Sequence, residues 1–123
     1  MTNLTEIQSL LIDMFKSHVP PLQVRKDNEN VFEVAGTKEV MQGKQKVDGY
    51  YFGSIVPKPK DIRLYYFPVY THFNEFSWIS YTLRKCLKGK SCFHIKNLDN
   101  DLITDISNMI AKGVALYKKD ELI

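Results

Sequence analysis

Helical and strand periodicities alternating within 123 residues predict one α+β domain spanning residues 1–123, with elements in the order α-β-β-β-β-α-β-α. Three observations carry that prediction. Apolar residues recur every three or four positions near both ends of the chain. From Leu22 to Val56 the apolar period becomes two. The length suits one core, because single hydrophobic cores commonly serve about 100–150 residues. The expected sheet is mostly antiparallel, with helices packed on one face and the first and last of them meeting there.

The first helix is expected over residues 3–17, where Leu4, Ile7, Leu11, Met14 and Phe15 form a stripe and Asn3 and Glu6 supply a cap with a box-like return. Pro20 and Pro21 end it, since neither donates a backbone hydrogen bond. Leu22 and Val24, then Phe32 and Val34, alternate with polar residues as two strands joined by the polar turn Asp27–Asn30. Gln42 to Gly49 is polar and flanked by glycine. Residues 49–56 and 62–70 are rich in tyrosine, phenylalanine and β-branched residues and frame a turn at Pro57–Asp61, which completes a four-stranded meander. Residues 72–88 return to helical spacing through Phe73, Phe76, Ile79, Leu83 and Leu87, with Thr71 as cap and Gly89 as terminator. A short strand over 91–96 and a last helix capped by Asn97 or Asp99, carrying Leu102, Ile106, Met109, Ile110 and Tyr117, complete the order.

Composition narrows the function classes. Apolar residues form 44% of the chain, enough to offset chain entropy and to argue against intrinsic disorder. No run approaches the roughly 20 apolar residues that cross a bilayer, and the first segment lacks a basic stretch of the signal-peptide kind. No membrane association is expected. The ending KDELI does not match a retention signal, because Ile123 follows Leu122. Cys86 and Cys92 are too few for a disulfide-stapled fold, so reduced thiols and a cytoplasmic location are expected. A net charge of +3 is modest for phosphate-driven nucleic-acid binding.

No glycine-rich phosphate loop, nucleophile elbow or zinc-protease signature occurs, so nothing anchors an enzyme. Four sets of residues remain as candidates. Asp101 and Asp105 lie one turn apart and could share a cation, although acids in a first helical turn also simply complement the helix dipole. Cys92 and His94 point to the same side of a strand, opposite Phe93 and Ile95, as a thiol–base pair or part of a soft-metal site. Arg84, Lys85, Lys88, Lys90 and Lys96 make a basic segment over 84–96, and strand tyrosines such as Tyr50, Tyr51, Tyr65 and Tyr66 offer stacking surfaces. Alternation assigns about half of those tyrosines to the core. His18 and His72 sit at helix boundaries with no spaced partner, and Trp78 falls beside the apolar stripe.

The runs Tyr51–Val56, Leu64–Tyr70 and Leu87–Lys96 resemble the YdhG-like family of bacterial domains of unknown function, over residues 20–118. The resemblance implies a small α+β domain with an antiparallel sheet, and one branch of the family is similar to frataxin-like iron chaperones. Iron is the one cofactor it implies. An iron role implies clustered carboxylates, for which the first helix offers Glu6 and Asp13, seven apart on one face. The expected function is therefore non-catalytic binding of a ligand or metal, at a tyrosine-lined surface that includes Tyr51, Tyr66 and Tyr70 or at Glu6, Asp13, Asp101 and Asp105. The alternative is a protein- or nucleic-acid-interaction module using the basic segment 84–96. A third reading is a thiol enzyme built on Cys92 and His94. A long exposed edge strand would also offer a route to a homodimer.

Overall fold

Helix α1 (Leu4–Lys16) starts where Asn3 Oδ1 accepts a hydrogen bond from the Glu6 amide at 3.0 Å and ends at Ser17, ahead of the two prolines. Its buried face is Ile7, Leu11 and Phe15; Leu4 and Met14, expected on the same stripe, are only half-buried. The computed structural model describes residues Met1–Ile123.

Strands β1 (Gln23–Asp27) and β2 (Phe32–Ala35) form the expected hairpin. Asn28 Oδ1 holds the turn by accepting from the amides of Asn30 at 2.9 Å and Val31 at 3.1 Å. The chain then leaves the sheet for a small separate ribbon, β3 (Val40–Gln42) and β4 (Gln45–Val47), turning at Gly43 with φ of 64°. These two strands are additional to the four predicted before the second helix. They are only three residues long and mostly polar, so no apolar alternation announces them. Strands β5 (Tyr51–Pro57) and β6 (Ile62–Tyr66) pair antiparallel around the Pro57–Asp61 turn.

The largest departure from the sequence reading lies between Phe67 and Lys88. In place of one helix over 72–88 there are α2 (Pro68–Thr71), a 3-10 turn at Phe73–Phe76, and α3 (Tyr81–Cys86). The predicted strand to Tyr70 ends at Tyr66, because Pro68 has no amide for the ladder but suits the first turn of a helix. Thr71 does not cap the segment. Ser80 does, its hydroxyl accepting from the Leu83 amide at 3.1 Å, which starts α3 nine residues later than expected. Phe76, Ile79 and Leu83 are buried as their spacing suggests, while Phe73 is 74% exposed. Leu87 and Lys88 form a two-residue strand β7, and Gly89, at φ of 78°, turns the chain into β8 (Cys92–Ile95).

Helix α4 (Asn100–Lys119) is capped by Asp99, whose carboxylate accepts from the Leu102 amide at 2.8 Å. All five residues predicted for its stripe are buried: Leu102, Ile106, Met109, Ile110 and Tyr117. The six-stranded sheet runs β1-β2-β5-β6-β8-β7, every neighbouring pair antiparallel. Helices α1 and α4 touch each other, and their apolar faces join those of the strands in one cluster of 25 buried residues. Each large side chain so buried contributes about 1.5–3 kcal/mol. No helix is long and apolar enough to cross a membrane.

Two details set which side chains reach which face. Between β2 and β5 the pairing runs Val34 to Gly53 but Ala35 to Tyr51, so Phe52 is an extra residue that bulges into the core. Gly113 in α4 lets that helix lie against the sheet: a Cβ there would stand 2.9 Å from Tyr66 Cζ and 3.1 Å from Phe52 Cζ. The sheet edges are short or charged. β7 has two residues, and β1 is exposed along Val24, Arg25, Lys26 and Asp27 with a register shift in its middle.

Candidate functional site

The sheet face opposite the helices carries polar chemistry in two rows set by register. Glu33, Ser54, Tyr65 and Cys92 are cross-strand neighbours in one row; Val56, Arg63 and His94 make the next. Tyr51 Oη and Ser54 Oγ share a hydrogen bond of 2.7 Å, and burial pushes the Tyr51 phenol up to about 12. Arg63 Nε donates to Asp61 Oδ1 at 2.7 Å, and His94 Nδ1 lies 3.6 Å from Asp61 Oδ2. Asp61 is the one ionisable side chain among the buried polar residues, 5% exposed.

Cys92 and His94 share this face, as the strand pattern predicts, but address different partners. The thiol sits beside the Tyr65 hydroxyl, whereas the imidazole faces Asp61. Burial pushes the Cys92 thiol up, an effect the hydrogen bond from Tyr65 only partly offsets. A raised thiol is less often the thiolate that attacks. Cys86 is likewise raised by burial.

The acidic candidates fall in two places. Glu6 and Asp13 are exposed on α1. Asp101 and Asp105 line a hollow of about 400 Å³ with Asp99, Ser80 and Thr82. Asp105 Oδ2 accepts from the Ser80 amide at 2.8 Å and Asp99 caps α4, so two of these three carboxylates already hold backbone amides. No group of three or more His, Cys, Asp or Glu side chains gathers closely enough to hold a metal ion.

The three tyrosines proposed for ligand binding separate completely. Tyr66 belongs to the core: it is fully buried, its ring packs edge-on against Phe52 and Phe76, and its hydroxyl donates to the Met109 carbonyl. Tyr51 is half-buried on the polar face. Tyr70, 48% exposed, lines an apolar groove of about 390 Å³ that sequence reasoning did not anticipate. Its walls are Val69, Tyr70, Phe73, Phe76, Ile79 and Leu87, and Arg84 and Lys90 stand at its rim. Lys90 Nζ lies 5.2 Å from the centroid of the Tyr70 ring. Arg84 is held in place by donating to the carbonyls of Ser77 at 3.0 Å and Ile79 at 3.4 Å. Trp78, 46% exposed, lies tilted at 6.2 Å from Phe76, a residue of the groove wall.

The basic segment is divided by α3. Arg84 and Lys90 face the groove, while Lys85, Lys88 and Lys96 line a second hollow of about 470 Å³ with His94, Asp61 and Asn97. Consecutive helix residues point about 100° apart, so Arg84 and Lys85 cannot share a face. Asp61 and Arg63 were missed because both read as ordinary residues of a turn and a strand; Pro68, which cannot continue the strand, was the available signal for the groove. No family model, no characterised protein and no solved structure matches the chain.

Proposed function

We propose that this chain is a non-catalytic binding domain whose ligand sits in the groove between α2, the 3-10 turn and the Leu87–Lys90 segment. The observation that carries the reading is the pairing of exposed Tyr70 and Phe73 with a cationic rim of Arg84 and Lys90. An apolar concavity of several hundred Å³ with a few convergent polar groups is the usual form of a small-molecule site. The ligand class follows from the lining: an apolar or aromatic body to cover Phe73 and Tyr70, and an anionic group to meet Lys90 and Arg84. The YdhG-like relationship is part of the proposal, and two of the resembling runs, Leu64–Tyr70 and Leu87–Lys96, contribute residues to the lining of the groove.

The probe that tests this is 8-anilinonaphthalene-1-sulfonate, an aromatic body with one sulfonate, followed by its own fluorescence and by quenching of the single tryptophan, Trp78. Saturable one-site binding to the folded protein is expected. Phe73→Ala and Lys90→Glu, both at surface positions, should each weaken it by about tenfold, the equivalent of roughly 1.4 kcal/mol. Binding that is unchanged in both variants, while their unfolding transitions match the parent, would remove the groove from consideration.

A further inference from the structure

We infer that the hollow between α3, the end of β8 and the β5–β6 turn is a second site, one that binds a phosphate-type oxyanion. Lys85 of α3, Lys88 of β7 and Lys96 just after β8 line it, together with His94 and the neutral donors Thr82 and Asn97; the Lys85 ammonium also lies 5.1 Å from the exposed Tyr81 ring. None of the three lysines takes part in any of the ion pairs of the structure, which engage Arg25, Lys46, Arg63, His72, His94 and Lys112. The one carboxylate in the hollow does not neutralise them. Asp61 is occupied by Arg63 at 2.7 Å and has His94 on its other oxygen at 3.6 Å. Asp99, Asp101 and Asp105 line the adjoining hollow, which shares Thr82 and Leu102 with this one.

Like charges held together repel, and a chain of net charge +3 places three of its cations around one concavity, none of them within ion-pair distance of a carboxylate. A multivalent anion relieves that repulsion, and lysine binds phosphate as a compact point charge from any side. The volume, about 470 Å³, takes a phosphate or pyrophosphate group with its bridging waters. Lys46 and Lys112, by contrast, each have a carboxylate partner. The site is independent of the groove, from which α3 separates it.

The test is an isothermal titration of the full chain with inorganic pyrophosphate at low ionic strength, alongside nitrogen-15 spectra that follow the His94 ring and the Asn97 amide. Saturable binding that shifts both signals is expected. The exposed pair Lys85→Ala and Lys96→Ala should weaken it by roughly tenfold or more, as loss of charged hydrogen bonds does, whereas Lys44→Ala on the β3–β4 turn should leave it unchanged. A single-stranded oligodeoxynucleotide, run as a competitor, distinguishes the sources of phosphate. Displacement of pyrophosphate by the strand assigns the site to a phosphodiester backbone, and failure to displace it assigns a small phosphate compound. Heat of dilution alone, or binding that the lysine pair does not affect, would overturn the inference. Neither result bears on the groove, whose probe and variants are different.

Discussion

Replacing Gly113 with alanine sets two effects of opposite sign against each other. On propensity alone the change stabilises an internal helical position by about 1 kcal/mol. The new Cβ, however, would stand 2.9 Å from Tyr66 Cζ and 3.1 Å from Phe52 Cζ, and closer still to the Tyr66 hydroxyl. Tyr66 has no room to retreat. Its ring is wedged edge-on between Phe52 at 5.5 Å and Phe76 at 5.6 Å, and its hydroxyl is committed to the Met109 carbonyl. Overpacking of a filled core costs about 1–3 kcal/mol, and a collision with two fully buried rings belongs at the upper end. The net expectation is a loss of about 2 kcal/mol, which lowers Tm by about 8 °C at roughly 4 °C per kcal/mol for a chain of this size. Calorimetry and urea denaturation followed by circular dichroism read both quantities. In the double variant with Tyr66→Phe the closest obstacle is gone, so the two changes should cost less together than the sum of the single losses. A Gly113→Ala protein as stable as the parent, or more so, would refute the account of how α4 seats on the sheet.

Four further outcomes follow from the same geometry. Ser80→Ala should cost about 1 kcal/mol by uncapping α3, read as an earlier urea midpoint. Asp105→Ala should cost a similar amount, about 1 kcal/mol, by leaving the Ser80 amide without its acceptor, while Asp101→Ala, at an exposed position, should change stability by less than about 0.5 kcal/mol; equal effects from the two aspartates would contradict the structural role given to Asp105. Tyr51, Tyr65, Tyr66 and Tyr117 all ionise above the ordinary tyrosine range because of burial. The unfolded chain therefore loses these protons first as pH rises past about 10, so it binds fewer protons than the folded chain there and the tyrosine contribution to stability falls with pH. Phenolate absorbance should show late ionisation of these residues that becomes ordinary in denaturant. Finally, iodoacetamide should alkylate Cys92 and Cys86 several-fold more slowly than a small free thiol at the same pH, with the difference erased by unfolding; rapid reaction of the folded protein would revive a thiol chemistry at Cys92.

The two long helices were legible because cap and stripe agree: Asn3 and Asp99 accept the expected amides, and the apolar residues return at one face for several turns. The β1–β2 hairpin and the two-sided pattern of Cys92–Ile95 were legible for the same reason in strand form. The stretch from Phe67 to Lys88 was not. Apolar residues three apart at 73, 76 and 79 fit a regular helix and a 3-10 turn equally, and only the local chemistry of Pro68 and Ser80 decides where the chain breaks. The site suffered more. Lysines at 85, 88 and 96 are visible as composition, but their separation from Arg84 and Lys90 depends on where α3 begins. Tyr51 and Tyr66 look alike in sequence, and one bulge at Phe52 together with strand pairing sends one to the polar face and the other into the core. Asp61 gains its significance only from Arg63, two residues along the chain, and His94 on the neighbouring strand.

The ribbon of β3 and β4 stands apart from the six-stranded sheet, with Met41 58% exposed and nothing within 4 Å of a Cβ placed on Gly43. Such a turn accepts added chain without disturbing a core it does not help to build. A reporter fluorophore, an affinity tag or a whole inserted domain could be grafted between Gly43 and Lys44, splicing a readout into the backbone while leaving the proposed groove and the lysine-lined hollow untouched.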